Sequence, residues 1–173
     1  VLGLNKTAST FFFMDESADS GDILSQTSIK INNDDDARML YCRMVETAES
    51  QIEEFLPLLE SRNFKTVTQD HNKANIWRKR STVDGNIDWR MSARAIYNLI
   101  RGLSKPYVGA HFVFDGKIIK VWKAKVVQCT VNNIEPGKVL ENSEKGTLVK
   151  ASENAILLIQ TEPNLKVKTG TYL

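Results

Sequence analysis

Apolar and polar positions alternate along this chain in three rhythms, and each predicts a different kind of element. Thr10–Met14 (TFFFM) is a continuous apolar run, which predicts a strand buried on both faces. The polar segment Asp15–Asp22 interrupts it, with Gly21 as the flexible point. Extended structure resumes over Ile23–Ile31, where Ile29 and Ile31 alternate with Lys30. A long helix is predicted next. Asn33 or Asp34 can cap it, so that Asp34, Asp35 and Asp36 fall in a first turn where the helix dipole favours negative charge. Ala37, Leu40, Met44, Ala48, Ile52, Phe55, Leu56 and Leu59 recur at spacings of mostly three and four and form one apolar stripe. Pro57 falls within it and is expected to kink or weaken the last turn.

Residues 62–86 are polar, hold the basic run Arg78-Lys79-Arg80, and read as a linker. A shorter helix is expected from about Ser92 to Leu103, with Ser92 as its N-cap and Ala95 or Ile96, Leu99, Ile100 and Leu103 on its apolar face. From Tyr107 onward the period falls to two. Ala110–Phe114 and Ile118–Val127 flank Asp115-Gly116, a strong hairpin signal. Gly137–Leu140, Thr147–Ala151 and Ala155–Gln160 supply further short strands, and that spacing predicts a small, mainly antiparallel β-barrel.

Charge sharpens the division. The 173 residues carry a net charge of +2, which hides an acidic front and a basic rear. Residues 1–72 hold 6 Lys and Arg against 13 Asp and Glu, whereas residues 73–173 hold 17 against 8. The basic rear suits an anionic ligand such as RNA, a nucleotide or a phosphorylated sugar. No apolar run approaches the length of a membrane span. The two cysteines, Cys42 and Cys129, are too few for a disulfide framework and read as buried thiols of a reducing, cytoplasmic compartment. The chain opens at Val1, close to an apparent core strand and without a basic leader, so a fragment is expected.

Chemistry-bearing motifs are sparse. There is no glycine-rich dinucleotide loop, no phosphate-binding P-loop and no paired C-x-x-C. His71 and His111 have no metal-like spacing partners, so no metal is expected. Cys42 has no neighbouring histidine that would activate a nucleophile. The dense acidic loop Asp15–Asp22 stands out, because carboxylates at the end of a core strand lie where open α/β sheets place ligands. Ser20-Gly21 directly after Asp19 lets the backbone turn and aim that carboxylate inward; the alternative is a solvated turn.

Four stretches carry a family resemblance. FFFMDESADSGDIL (Phe11–Leu24) resembles the aspartate loop of the folate-dependent formyltransferases. DGNIDWRMSARAIYNLIRGLSKPYVGAHF (Asp84–Phe112) is similar to the family's I-D-W segment, helix and P-G-A turn, with Val108 standing where the family has its proline. IEPGKVL and GTLVKASENAILLIQTEP resemble its small C-terminal β-domain. The family includes methionyl-tRNA formyltransferases and the N-formyltransferases of nucleotide-linked amino sugars.

The resemblance implies an α/β fold, with residues 1–72 as the end of a Rossmann-like catalytic domain. Residues 73–173 would form a linker, short helix and OB-like barrel. It implies 10-formyltetrahydrofolate as formyl donor and a primary amine as acceptor. Asp19 matches the catalytic aspartate, which orients and stabilises the charged form of a histidine while that histidine takes the amine proton. The family's Asn-x-His pair lies upstream of this loop and has no counterpart here, so the 173 residues are expected to be inactive alone. Asp15 and Gly21 are candidates for cofactor contacts. Trp77, Arg78, Lys79, Arg80 and Arg101 are candidates for substrate contacts. The basic turn before I-D-W favours a nucleotide-linked amino sugar as acceptor, with initiator Met-tRNA as the alternative. Other expected partners are the missing N-terminal portion and, since an uncovered apolar strand invites pairing, a second copy in a homodimer. A non-catalytic RNA- or anion-binding β-module is the reading from a different class.

Overall fold

The computed structural model describes residues 2–173. They form two compact units. The first comprises Leu4–Asp35 and Met39–Lys79; the second holds Arg80–Leu173, Asp36–Arg38 and the described residues before Leu4.

In the first unit, β1 (Lys6–Phe12) and β2 (Ile23–Lys30) pair antiparallel from Lys6 opposite Lys30 to Phe11 opposite Ser25, with a bulge before Phe12 meets Ile23. This corrects two expectations. The first strand ends at Phe12, and none of its residues is fully buried, because it has one strand partner and its Lys, Thr and Ser positions interrupt the apolar run. Neither strand is parallel to another, so a Rossmann-like remnant is not seen among the described residues. Phe11 packs edge-on against Phe55 of the long helix, with ring centroids 5.0 Å apart.

That helix, α1 (Ala37–Glu60), starts after the aspartates rather than with them. Asp35 is therefore not a dipole partner but a buried one. Its side chain is 1% exposed and receives both guanidinium nitrogens of Arg43, at 2.8 and 2.9 Å, and the backbone N–H of Asn32 at 2.7 Å. Arg43 also donates to the carbonyl of Lys30 at 2.7 Å. Pro57 does not stop the helix, which continues to Glu60. It closes with Arg62 in the left-handed region (φ 54°), where the N–H groups of Arg62 and Asn63 reach back to the carbonyls of Leu59 and Leu58.

In the second unit, α2 (Ala93–Gly102) is capped by the Ser92 hydroxyl, which accepts from the N–H of Ala95. Strands β3 (Ala110–Phe114), β4 (Lys117–Val127), β5 (Val139–Ser143), β6 (Gly146–Lys150) and β7 (Ala155–Glu162) form one antiparallel sheet in the order β3-β4-β7-β6-β5. The edge strands β3 and β5 do not pair, so the expected OB-like barrel is an open sheet. Asp115 and Gly116 both have positive φ (52° and 71°), as a two-residue type I′ hairpin requires. Ile96 and Ile100 of α2 join Phe112, Val121, Ile156 and Leu158 of the sheet in one core, where Trp89 meets Phe112 edge-on at 5.2 Å. Lys150 is buried there without a carboxylate. Its ammonium donates to the carbonyls of Ala151, Ser152 and Asn154 at 2.6, 3.3 and 3.4 Å.

The Arg43 hydrogen bonds hold the Asp35 carboxyl far below its ordinary value of 3.8. A depressed pKa means the pair stabilises the fold above pH ~4 and loses that contribution as acid protonates the folded carboxylate. Asp35→Asn should therefore cost about 2 kcal/mol at pH 7, somewhat below the range for a fully buried pair because Arg43 is partly exposed. Thermal unfolding from pH 7 to pH 2 should show the gap between parent and variant closing below pH 4. A constant gap would assign the loss to packing instead of charge.

Candidate active site

The Asp15–Asp22 loop is built by local bonds and one long-range clamp. Asp15 makes a turn by accepting from the N–H of Ser17 at 2.9 Å and the hydroxyl of Ser20 at 2.6 Å, both on one carboxylate oxygen. The Ser20 hydroxyl, then the Ser17 N–H, hold this exposed carboxyl below its ordinary value. Gly21 is buried with the carbonyl of Phe13 against it; a Cβ there would lie 1.7 Å from that oxygen. Only glycine permits this approach. The clamp is Gln69, whose side-chain amide donates to the carbonyls of Asp19 at 3.0 Å and Gly21 at 2.6 Å. Val67 and Ile23 exchange backbone hydrogen bonds, and the Thr66 hydroxyl reaches Asp22 at 3.2 Å.

Asp19 is the product of this construction. Its backbone is left-handed (φ 56°), a region that aspartate enters more readily than most residues. Its side chain is exposed, and among the described residues its carboxylate has no hydrogen-bond or ion-pair partner. The loop thus separates two carboxylates by role: Asp15 is consumed in shaping the turn, and Asp19 is presented to solvent. A carboxylate presented in this way can orient and stabilise a cation placed against it.

The other expected site residues are distributed. Trp77, Arg78 and Lys79 lie in an exposed stretch of the first unit without regular structure. Trp77 is 58% exposed, and its indole N–H donates to Asn75 at 2.6 Å. Arg80 and Arg101 belong to the second unit. Arg101 donates to the Asn98 side chain at 2.9 Å and stacks over the Tyr97 ring. His71 sits in a one-turn helix of the first unit and His111 on β3. The expected burial of both cysteines is not found: Cys42 is exposed on α1 and Cys129 half-buried.

Sequence reasoning leaves two groups outside the candidate site, reading Trp122 from its alternation in a strand as packed. Gln69 is one, hidden in a polar stretch that offered no local signal. The other is a basic and aromatic surface on the second unit. Trp122, half-buried on β4, donates to Glu162 at 2.8 Å and carries the ammonium groups of Lys105 and Lys120 over its ring, 5.2 and 5.6 Å from the centroid. Alternation of Lys with core residues along β4 could have flagged it. Among the described residues no cluster of His, Cys, Asp and Glu could hold a metal. No helix is long and apolar enough to cross a membrane. A cavity of about 660 Å³ lies in the second unit beside the β5–β6 turn, well away in sequence from the acidic loop.

Comparisons with known proteins fit this arrangement. The methionyl-tRNA formyltransferase of Caldanaerobacter subterraneus subsp. tengcongensis is 37% identical over 175 residues, covering all of this chain and 56% of that protein. The methionyl-tRNA formyltransferase of Clostridioides difficile is 31% identical with the same coverage. The chain therefore spans little more than half the length of these relatives. Among solved structures, WlaRD, a sugar 3N-formyl transferase determined with dTDP and 5-N-formyl-THF, superposes with a TM-score of 0.69 at 20% identity, over 94% of this chain and 57% of its own. HypX from Aquifex aeolicus in complex with tetrahydrofolic acid gives 0.70 at 18%, over 92% and 28%. Residues 79–170, more than half of the chain, match the family described as the formyl transferase C-terminal domain, and the chain belongs to that family.

Proposed function

We propose that this chain is the C-terminal part of a cytoplasmic N-formyltransferase that moves a formyl group from 10-formyltetrahydrofolate to a primary amine, with Asp19 as a catalytic residue. The observation that carries this reading is the Asp19 carboxylate, exposed and unpartnered on a loop whose backbone Gln69 clamps. Residues 1–72 would complete the catalytic domain, and residues 73–173 would form the linker, short helix and C-terminal β-domain. 10-Formyltetrahydrofolate supplies the activated formyl carbon. The residues present fit one edge of such a site and not the whole. The second carboxylate oxygen of Asp15 offers a hydrogen-bond acceptor, whereas the space beside Gly21 is filled by the Phe13 carbonyl and the 173 residues carry no Asn-x-His pair. Asp19 orients an imidazole supplied from outside these 173 residues and stabilises it as it gains the amine proton.

Met-tRNA is the acceptor we favour. The 37% identity to a methionyl-tRNA formyltransferase runs over the whole chain, and the Trp122 surface with Lys105 and Lys120 has the cations and aromatic face that a polynucleotide engages. The nucleotide-linked amino sugar is the second reading. It is supported by Arg78-Lys79-Arg80 beside the exposed Trp77, and by the sugar formyltransferase among the fold neighbours.

Formyl-transfer assays on a full-length protein carrying this sequence test both levels. Asp19→Asn should lower turnover by about a hundredfold or more with folding unchanged by circular dichroism; near-parental turnover would remove Asp19 from the chemistry. Gly21→Ala should also lower turnover, because the added carbon must displace the Phe13 carbonyl, and it should lower the melting temperature as Asp19→Asn does not. If the acceptor is Met-tRNA, Lys120→Glu should raise its KM and flatten the salt dependence of kcat/KM. Unchanged kinetics on Met-tRNA, with activity on a nucleotide-linked amino sugar, would establish the second reading.

A further inference from the structure

In the stretch 61–70 every residue is exposed except Gln69, which is half-buried. Its side-chain nitrogen carries two hydrogens, and two acceptors meet it: the carbonyl of Asp19 at 3.0 Å and that of Gly21 at 2.6 Å. These carbonyls flank Ser20, whose hydroxyl donates to Asp15 on the other limb of the loop. Asp19-Ser20-Gly21 is therefore gripped at three points, and none of them is the Asp19 carboxylate. The neighbours of Gln69 have no such reach. The Thr66 hydroxyl bonds Asp22 at 3.2 Å, and Val67 exchanges backbone hydrogen bonds with Ile23, both beyond Gly21 in sequence.

We infer that Gln69 is a positioning residue for formyl transfer: by fixing the carbonyls on either side of Ser20, it sets the direction in which Asp19 presents its carboxylate. The inference rests on the function proposed above. An aspartate side chain is short, so most of its aim comes from its own backbone. A hydrogen bond to the Asp19 carbonyl restrains ψ at that residue, and the bond to Gly21 anchors the far end of the same tripeptide. A carboxylate that must orient an imidazole needs placement to about 0.5 Å, which a loop free in solvent does not supply. The amide suits this task on chemical grounds. Glutamate would set oxygens against two carbonyl oxygens, asparagine is one carbon shorter, and leucine fills similar space with no donor. Gln69 needs no contact with substrate or cofactor, since it acts through Asp19.

The test is a double-mutant cycle in a full-length protein carrying this sequence, read as kcat and KM for formyl transfer, with thermal unfolding of each variant alongside. Gln69→Leu and, independently, Gln69→Glu should lower kcat about tenfold or more with little change in KM, the signature of a misplaced reacting group. Asp19→Asn combined with Gln69→Leu should be no slower than Asp19→Asn alone, because Gln69 acts only through that carboxylate. A purely structural loss would instead persist in the Asp19→Asn background. Thr66→Val removes a bond of the same segment that does not touch Asp19, and it should keep most of the parental kcat. Losses that multiply in the double variant, an equal loss from Thr66→Val, or undiminished kcat in both Gln69 variants would each overturn the assignment. The cycle also separates the two levels of inference. A slow Asp19→Asn beside unimpaired Gln69 variants would leave the function standing and remove only the positioning role. Near-parental turnover of Asp19→Asn, or no transfer by the parent, would remove both.

Discussion

The buried Asp35–Arg43 pair is the interaction on which the first unit depends. One guanidinium satisfies a carboxylate in the connection before α1 and a carbonyl at the end of β2. The same arginine belongs to the helix, so three segments are locked by a planar fork whose geometry tolerates little error, with Gln51 on Ser25 and Phe55 on Phe11 adding to the hold. Breaking it would leave an ionised carboxylate buried at 1% exposure, an expensive state. The hairpin register then follows. β2 is fixed at its far end by Arg43 and at its near end by the Ile23–Val67 exchange, and the acidic loop hangs between β1 and that near end. Asp19 is thus held by a chain of constraints that begins on α1.

Polar side chains do the structural work of the first unit, and apolar ones that of the second. The second unit has a core in which Ile96, Ile100, Ile156 and Leu158 are almost wholly excluded from solvent. The first has Ile29 as its one fully buried aliphatic residue among those described, and relies on Asp35, Gln51 and Gln69 for shape. Hydrogen bonds give direction but little net free energy in water, whereas apolar burial gives free energy without direction. The contrast leaves a loop shaped by polar side chains in one unit and a sheet held by an apolar core in the other.

Legibility in the sequence followed locality. Asp115-Gly116 and Ser92 were readable because a two-residue turn and a helix cap are decided within four residues, and both appear as expected. Pairing order is not local. A period of two announces strands but not which edges meet, so the open sheet read as a barrel. The aspartate run before α1 offered a dipole reading that was chemically sound. It failed at Asp35 because the residue competing for that carboxylate stands eight positions further on. The acidic loop was visible, but the division of labour inside it was not. Nothing in the order of Asp15 and Asp19 says which one shapes the turn. Gln69, the clamp, lies 50 residues from Asp19.

Amphipathicity on a single face would make α1 the outer layer of a finished unit. α1 instead carries apolar residues on two adjoining faces, one against the hairpin and one exposed. The sequence stripe merged the two sets, since Met44 and Phe55 belong to one side while Ile52 and Leu56 belong to the other, and a count of apolar spacings cannot separate faces that adjoin. Polar partners separate them, because Arg43, Gln51 and the Glu49–Glu53 flank assign each sector of the helix to a buried, an apolar or a solvated environment. The exposed face also explains why so much of this unit's order rests on hydrogen bonds. With one apolar face uncovered, burial alone cannot fix its orientation, and the directional contacts of Arg43 and Gln51 supply what is missing.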